Sequence, residues 1–367
     1  MPRDGRRVAI ATGGTGGHVH PALAVAEAYR RLRPEVEILF LGTVDGPEAR
    51  LVPLHGHRFV AIPGAPLLRV GAAGKARALV ALVRGTATAR RVLARAGTEL
   101  ALGFGGYASA GTILGARTLR IATVIHEANA VAGVANRVLG RFADRALLGF
   151  ADVAHDFTAT ETLVTGTPVR PEIVAVGRAR AARLRAPGPL HVLVTGGSAG
   201  SPFLNARLPD LLARAAARGA ALEVCHQVGE GAPAEVARAY ERAGVPARVH
   251  AWLEDMPAAY RAADLAIVCA GAGTLTELAM VGLPALLVPL AAAALDHQTQ
   301  NARAYAALTG SRWVREDAWD AEPLARWIAE LAAAPAALVE AGERARLAAH
   351  PDAAEAIVVA CEALLAG

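Results

Sequence analysis

Short apolar runs recur along the chain, each followed by glycine or a polar cluster, and then by apolar residues at helical spacing. This alternation predicts strands buried on both faces, exchanging with helices. Val8-Ala9-Ile10-Ala11 predicts a first strand that runs into Thr12-Gly13-Gly14-Thr15-Gly16-Gly17-His18. A helical pattern begins at Pro21 and ends at Leu32, with Ala22, Val25, Ala26 and Tyr29 on one face. Residues 37–42, 100–103 and 123–125 predict further strands. The last two end in Phe104-Gly105-Gly106-Tyr107-Ala108-Ser109 and in His126-Glu127-Ala128-Asn129. Two prolines in Thr165-Gly166-Thr167-Pro168-Val169-Arg170-Pro171 break the pattern and predict an interdomain hinge. Arg170 could reach a phosphate from there, and the arginines of residues 178–185 predict a solvated helix face.

The pattern then restarts. A strand at residues 190–194 enters Thr195-Gly196-Gly197-Ser198-Ala199-Gly200-Ser201, which mirrors the first glycine loop. Strands are predicted at 223–227 and 248–250, with a loop at 252–256 and a helix at 257–263. Leu265-Ala266-Ile267-Val268 predicts a buried strand, followed by the small-residue turn Gly271-Ala272-Gly273-Thr274. Glu277 stands at the start of the next helical pattern, and Ala285-Leu286-Leu287-Val288 predicts another strand before Asp296-His297-Gln298-Thr299-Gln300-Asn301. Residues 278–295 are uncharged and long enough to span a membrane, but Gly282, Pro284 and Pro289 interrupt them. A buried strand with flanking loops is the predicted outcome. The tail from Glu322 reads as alanine-rich helix. Two halves that each open with strand, glycine loop and helix predict an α/β protein of two doubly wound domains.

Composition narrows the class. At 367 residues, 54% apolar and 19% charged, the chain can bury two cores. The net charge of +5 suits an anionic ligand or membrane surface. Cys225, Cys269 and Cys361 are too scattered for a disulfide framework, and no Cys/His spacing resembles a zinc site. The charged start, residues 1–7, runs into a strand and lacks the pattern of a signal peptide. Residues 64–95 mix Leu67, Leu68, Val70, Leu79, Val80 and Val83 with Arg69, Lys75, Arg77 and Arg84, and contain no acid. Such a surface would suit an anionic leaflet, although composition alone favours an ordinary amphipathic helix.

Chemistry concentrates at the predicted strand ends. The loop at 13–18 is no P-loop, since no Gly-Lys-Ser/Thr follows, and Val19 breaks the dinucleotide fingerprint. Four glycines in five residues exceed what a turn needs and allow a ligand to approach a helix N-terminus. His18, His126, Glu127 and Asn129 fall on one rim, and either His18 or Glu127 could serve as a general base. No Asp-x-Asp occurs anywhere in the chain.

Seven motifs in order carry a resemblance over essentially the whole chain. They are Gly13-Gly-Thr-Gly-Gly-His18, Gly103-Phe-Gly-Gly-Tyr107, His126-Glu127 with Asn129-Ala-Val-Ala-Gly133, Thr195-Gly-Gly-Ser198, Glu254-Asp-Met256, Gly271-Ala272 with Thr274 and Glu277, and His297-Gln298 with Asn301-Ala302. The chain resembles the MurG family of UDP-N-acetylglucosamine transferases of peptidoglycan precursor synthesis. The resemblance implies a GT-B fold, two Rossmann-like doubly wound parallel-sheet domains facing a central cleft. It implies inverting transfer of N-acetylglucosamine from its UDP donor to lipid I, giving lipid II. An N-terminal acceptor and membrane-associated domain is expected at 1–166 and a donor domain at 167–350, with the helix 351–367 packing back on the first. By position, Arg170 and the Leu253 backbone would meet the uracil side, Ser198 a phosphate, Glu277 the ribose and Gln298 the sugar, with Thr274 also among the donor-binding residues. Thr15, Gly16, Gly17, Tyr107 and Asn129 would line the acceptor pocket, with His18 or Glu127 catalytic. No metal or other cofactor is expected. Expected partners are the two substrates, the anionic inner-membrane surface at its cytoplasmic face and other wall-synthesis proteins, but no nucleic acid. The family's usual glutamines are replaced at Ala128 and Ala199, its asparagine at Thr167 and its frequent arginine at Cys269. Another GT-B glycosyltransferase, a UDP-N-acetylglucosamine epimerase and a non-catalytic nucleotide-sugar-binding paralogue remain alternatives at this stage.

Overall fold

The computed structural model describes residues 6–14, 16–66, 71–180, 188–229, 233–293 and 296–366. It divides into two compact units, residues 1–170 with 350–367, and residues 171–349. The division falls after Arg170 and not at Gly166. Thr165 and Thr167 are buried, and the amides of Thr165 and Gly166 both donate to Leu148 O. The first half of the expected hinge is therefore packed into the first unit.

The first unit holds a seven-stranded parallel sheet. Its strands are β1 Arg7–Ala11, β2 Glu37–Gly42, β3 Arg58–Ala61, β4 Leu100–Gly103, β5 Ala122–Glu127, β6 Arg145–Leu148 and β7 Glu161–Val164. They lie in the order β3-β2-β1-β4-β5-β6-β7. The central strands β1 and β4 are apolar because helices cover both their faces. The sequence pattern misses β3, β6 and β7; β3 and β7 are edge strands with largely exposed or half-exposed residues, whereas β6 is a largely buried run of only four residues.

Helix α1, Gly16–Leu32, begins earlier than its pattern suggests and carries Pro21 inside it. A proline there cannot donate to the carbonyl of Gly17, and the glycines of the first turn leave room for its ring. Helices α2 Glu48–Leu54, α3 Ala72–Ala96, α4 Tyr107–Thr118 and α5 Val134–Leu139 follow. α3 buries Ala78, Gly85, Ala89 and Leu93, and Gly85 and Ala89 meet Gly111 and Gly115 of α4. Leu67, Leu68, Arg69 and Val70 lie outside the described residues.

The C-terminal helix, Ala353–Ala366, belongs to this unit. Ile357, Val358, Ala360 and Cys361 enter the core formed by Ala22, Val25, Ala26 and Tyr29 of α1. Arg145 Nη1 donates to Ala360 O at 2.6 Å, and Glu362 pairs with Arg6 at 3.1 Å and Arg33 at 3.5 Å. The apolar seam dominates, because half-exposed ion pairs are worth ~1 kcal/mol or less.

The second unit repeats the design with six parallel strands. These are β8 Leu190–Thr195, β9 Leu222–Gln227, β10 Ala247–His250, β11 Leu265–Val268, β12 Ala285–Leu287 and β13 Arg312–Trp313, ordered β10-β9-β8-β11-β12-β13. Its helices are α6 Pro171–Arg180, α7 Pro202–Ala217, α8 Pro233–Arg242, α9 Met256–Ala262, α10 Ala272–Val281, α11 His297–Thr309, α12 Ala321–Ala333 and α13 Pro335–Leu347. Residues 181–185 of the expected arginine face lie outside the described residues. The long apolar run of 278–295 resolves into the end of α10, a left-handed Gly282 (φ 62°) and buried β12, with 294 and 295 outside the described residues. No helix among the described residues is long and apolar enough to cross a membrane.

Ile357 is fully buried in the seam between α1 and the C-terminal helix. Ile357→Ala is expected to destabilise the first unit by about 2–5 kcal/mol. Chemical denaturation followed by circular dichroism measures this. A loss below about 0.5 kcal/mol would place the helix outside the unit's core.

Candidate functional site

A doubly wound sheet opens a crevice where its strand order reverses. In the first unit that point lies between β1 and β4, and both following loops are glycine-rich. They touch: Gly106 sits at φ 82°, and a Cβ there would overlap the Gly13 carbonyl. His18 stands in the first turn of α1, and its Nδ1 lies 3.0 Å from Gly13 O. A carbonyl only accepts, so Nδ1 carries the proton, and neutral His18 has its lone pair on Nε2. The Nε2 edge of the ring faces Gly105. Gly16 and Gly17 form the start of α1 and Tyr107 the start of α4, 42% exposed on the rim. Thr15 lies outside the described residues.

The end of β5 reaches the same rim, and Phe104 packs on His126 with ring centroids 5.2 Å apart. His126 is buried and donates from Nε2 to Gly166 O at 3.2 Å. Burial lowers its pKa to about 4, so it remains neutral near pH 7. Glu127 is also buried, and four donors surround its carboxylate. Oε1 accepts from Asn129 N and Nδ2, both at 2.9 Å; Oε2 accepts from Gly133 N and Asn136 Nδ2, both at 3.0 Å. Glu127 thus ties down the loop that follows β5. Asn129, expected to face a ligand, spends its amide on this same tie.

In the second unit the order reverses between β8 and β11. The loop after β8 leads to α7, capped by Ser201 Oγ, which accepts from Leu204 N at 3.2 Å. Ser198 is exposed within that loop, beside Gly197 at φ 80°. The loop after β11 leads to α10, whose first turn contains Ala272, Gly273 and Thr274. α7 opens with Pro202, which has no N–H, and Ser201 takes its Leu204 amide, whereas α10 carries no side-chain cap. The start of α10 is therefore the helix N-terminus that brings open amides to these strand ends, which favours an anion.

Glu277 is not at the start of a helix. α10 begins at Ala272, so Glu277 lies in its second turn, and its Oε2 accepts from Tyr260 Oη at 2.9 Å. A dipole role at the helix terminus is excluded. Gln298 lies in the first turn of α11, and its Oε1 accepts from Ala270 N at 3.1 Å and Leu290 N at 2.9 Å. Its Nε2 is the group through which it can meet a ligand. The Leu253 N–H already donates to Gln227 Oε1 at 3.0 Å, so only its carbonyl remains as an acceptor. Arg170 ends the first unit, whereas Ser198, Leu253, Thr274, Glu277 and Gln298 all belong to the second. Burial pushes the Cys269 thiol up to about 11, and it packs into the core as an inert group.

Four residues escape the sequence reading: Glu48, Asn136, Gln227 and Tyr260. Glu48 is fully buried, and its Oε1 accepts from Thr43 N at 2.8 Å and Thr43 Oγ1 at 2.6 Å. It packs under Gly13, Gly42 and Gly46, where any side chain would collide with it. Those three glycines were its one available signal. Gln227 and Tyr260 give a weaker one, a polar group ending an apolar strand or sitting in a short helix.

Comparison with known proteins agrees with the two-unit fold. The chain matches the glycosyltransferase family 28 N-terminal domain over residues 8–148 and the C-terminal domain over 191–357. It is 38% identical over 352 residues to the UDP-N-acetylglucosamine–N-acetylmuramyl-(pentapeptide) pyrophosphoryl-undecaprenol N-acetylglucosamine transferase of Geobacter sulfurreducens, covering 96% of this chain and 97% of that one. The protein of the same name from Magnetococcus marinus is 39% identical over 354 residues, 96% of each chain. The crystal structure of Acinetobacter baumannii MurG superposes with a TM-score of 0.78 at 32% identity, over 97% of this chain and 99% of that one. A calicheamicin glycosyltransferase, at 16% identity, TM-score 0.67 and 99% of both chains, shares the fold alone.

His126 makes stability depend on pH. Its folded pKa of about 4 lies below the ordinary 6.5, and His226, also lowered by burial to about 4, acts the same way. Above pH 6.5 neither state binds the proton and stability is complete. Between 6.5 and 4 the unfolded chain binds protons that the folded chain refuses, so stability falls by up to about 1.4 kcal/mol per pH unit for each histidine. Urea titrations at pH 7.5, 6 and 5 should show the fall, and His126→Gln should lessen it; an unchanged slope would contradict the assignment.

Proposed function

Because the chain belongs to glycosyltransferase family 28, and within it to the MurG family, we propose that it transfers N-acetylglucosamine from UDP-N-acetylglucosamine to lipid I, yielding lipid II. The observation that carries this reading is similarity running through both units at once, at 38% identity over 96% of the chain. The product feeds wall growth, and through it cell shape and division.

The second unit holds the donor. The amides at the start of α10 and of the loop at Ser198 and Ala199, with the hydroxyls of Ser198 and Thr274, receive the diphosphate and take up charge as UDP leaves. Arg170 adds a positive group on the uracil side. The Leu253 carbonyl accepts from the uracil imide. Glu277 accepts from the ribose hydroxyls, its orientation set by Tyr260. Gln298 Nε2 donates to a hydroxyl of the sugar. No divalent metal is needed for this charge stabilisation.

The first unit supplies the acceptor side. Gly16, Gly17, Tyr107 and Asn129 line it, together with Thr15 by sequence position. His18 is the general base: Nε2 removes the proton of the attacking hydroxyl as its oxygen bonds to the anomeric carbon and the bond to UDP breaks, with inversion. Four hydrogen bonds on Glu127 favour a scaffolding role for it over a catalytic one.

The chain acts on the cytoplasmic face of the membrane, alongside other wall-synthesis proteins. Leu79, Val80 and Val83 of α3 are 60%, 55% and 63% exposed, next to Lys75, Arg77 and Arg84. An apolar strip with a basic border suits an anionic leaflet.

Purified protein is expected to move label from UDP-N-acetylglucosamine into lipid I, with turnover unchanged by EDTA; free UDP without labelled lipid, or full loss in EDTA, would overturn the reading. Glu277→Ala should weaken UDP binding about 10-fold or more. His18→Ala should lower kcat by about 10²-fold or more with little change in donor affinity; near-normal turnover removes His18 as the base. Co-sedimentation with phosphatidylglycerol vesicles should fall in a Leu79→Glu, Val83→Glu double variant. Equal sedimentation would rule out α3 as the contact.

A further inference from the structure

β9 lies between β8 and β10, so its last residue stands between the loops that follow those two strands. That residue is Gln227, 2% exposed. Its Nε2 donates to Gly197 O at 3.0 Å and approaches Thr195 Oγ1 at 3.5 Å. Thr195 Oγ1 in turn accepts from Gly197 N at 3.1 Å. On the other side Gln227 Oε1 accepts from Leu253 N at 3.0 Å. One buried amide thus grips the glycine loop before α7 and the loop before α9.

The chemistry of the link is specific. One loop presents a carbonyl and the other an N–H, so the bridge must donate at one end and accept at the other. An uncharged primary amide of glutamine length does both. A carboxylate would keep the bond to Leu253 but face the Gly197 carbonyl without a proton to give. An apolar chain would leave both half-buried backbone groups without this partner. The glycine loop needs the support, since Gly197 lies at φ 80° with open space around it and Ser198 and Ala199 are exposed.

We infer that Gln227 is a positioning residue that fixes the diphosphate loop and the uracil loop in mutual register before the donor arrives. This rests on the donor-site reading above. Binding UDP, which spans both loops, then requires no ordering of one loop against the other. Uridine alone uses one loop and gains less from the link.

Calorimetric titration of the full chain with UDP and with uridine tests this, with thermal melts confirming that the variants fold. Gln227→Met should weaken UDP about tenfold and raise donor KM likewise, leaving kcat and acceptor KM within about twofold. Gln227→Glu keeps the bond to Leu253, so uridine affinity should stay within about twofold while UDP falls about tenfold or more. Unchanged UDP affinity in Gln227→Met, or equal losses of UDP and uridine in Gln227→Glu, would overturn the inference. Glu277→Ala separates the two layers. If it weakens UDP while the Gln227 variants do not, the bridge fails and the donor site stands; if it too leaves UDP unchanged, the donor-site reading fails.

Discussion

Both units depend on one constraint of parallel sheets. In both sheets the strand order reverses beside the first strand, and there two adjacent connections leave the sheet toward opposite faces. The gap between them exposes backbone amides at helix N-termini. In the first unit the reversal lies at β1 and β4, and in the second at β8 and β11. Glycine is needed at these points because the loops must pass within contact distance of one another, as Gly106 does over Gly13. Anion recognition then requires few side chains.

Polar residues on the rims mostly hold the loops in place. Glu127 gives all its capacity to the loop after β5, and Gln298 gives its oxygen to the ends of β11 and β12. Asn301 adds a bond from Nδ2 to Ala270 O at 3.1 Å. Each such bond fixes a backbone amide near a place where charge is to be met, and a buried, fully paired carboxylate or amide stiffens the loop around it.

Much of this was legible in the sequence. Apolar runs at β1, β4, β5, β8, β9 and β11 marked central strands because burial on both faces leaves an unambiguous signal. The glycine loops and the polar strand ends located both rims. Edge strands β3 and β7 were illegible because half-exposed pairs tolerate polar residues, and β13 because it is only two residues long. The start of α1 was misplaced because proline usually opens a helix, and here glycines before Pro21 let the helix begin sooner. Glu277 was placed at a helix terminus because nothing in Gly271-Ala272-Gly273-Thr274 distinguishes a turn from a first helical turn. Gln227, Tyr260 and Glu48 act through contacts distant in sequence, which periodicity does not record. The hydrogen bonds that reach Glu127 from Gly133 and Asn136 are likewise beyond what periodicity records.

Backbone amides at the second unit's strand reversal are the proposed seat of the donor diphosphate, and amide hydrogen exchange reads them directly. Saturation with UDP should slow exchange at residues 196–201 and 272–275 while leaving residues 13–18 as they were. Protection confined to residues 13–18 and 105–107, with none near α7 and α10, would contradict the account.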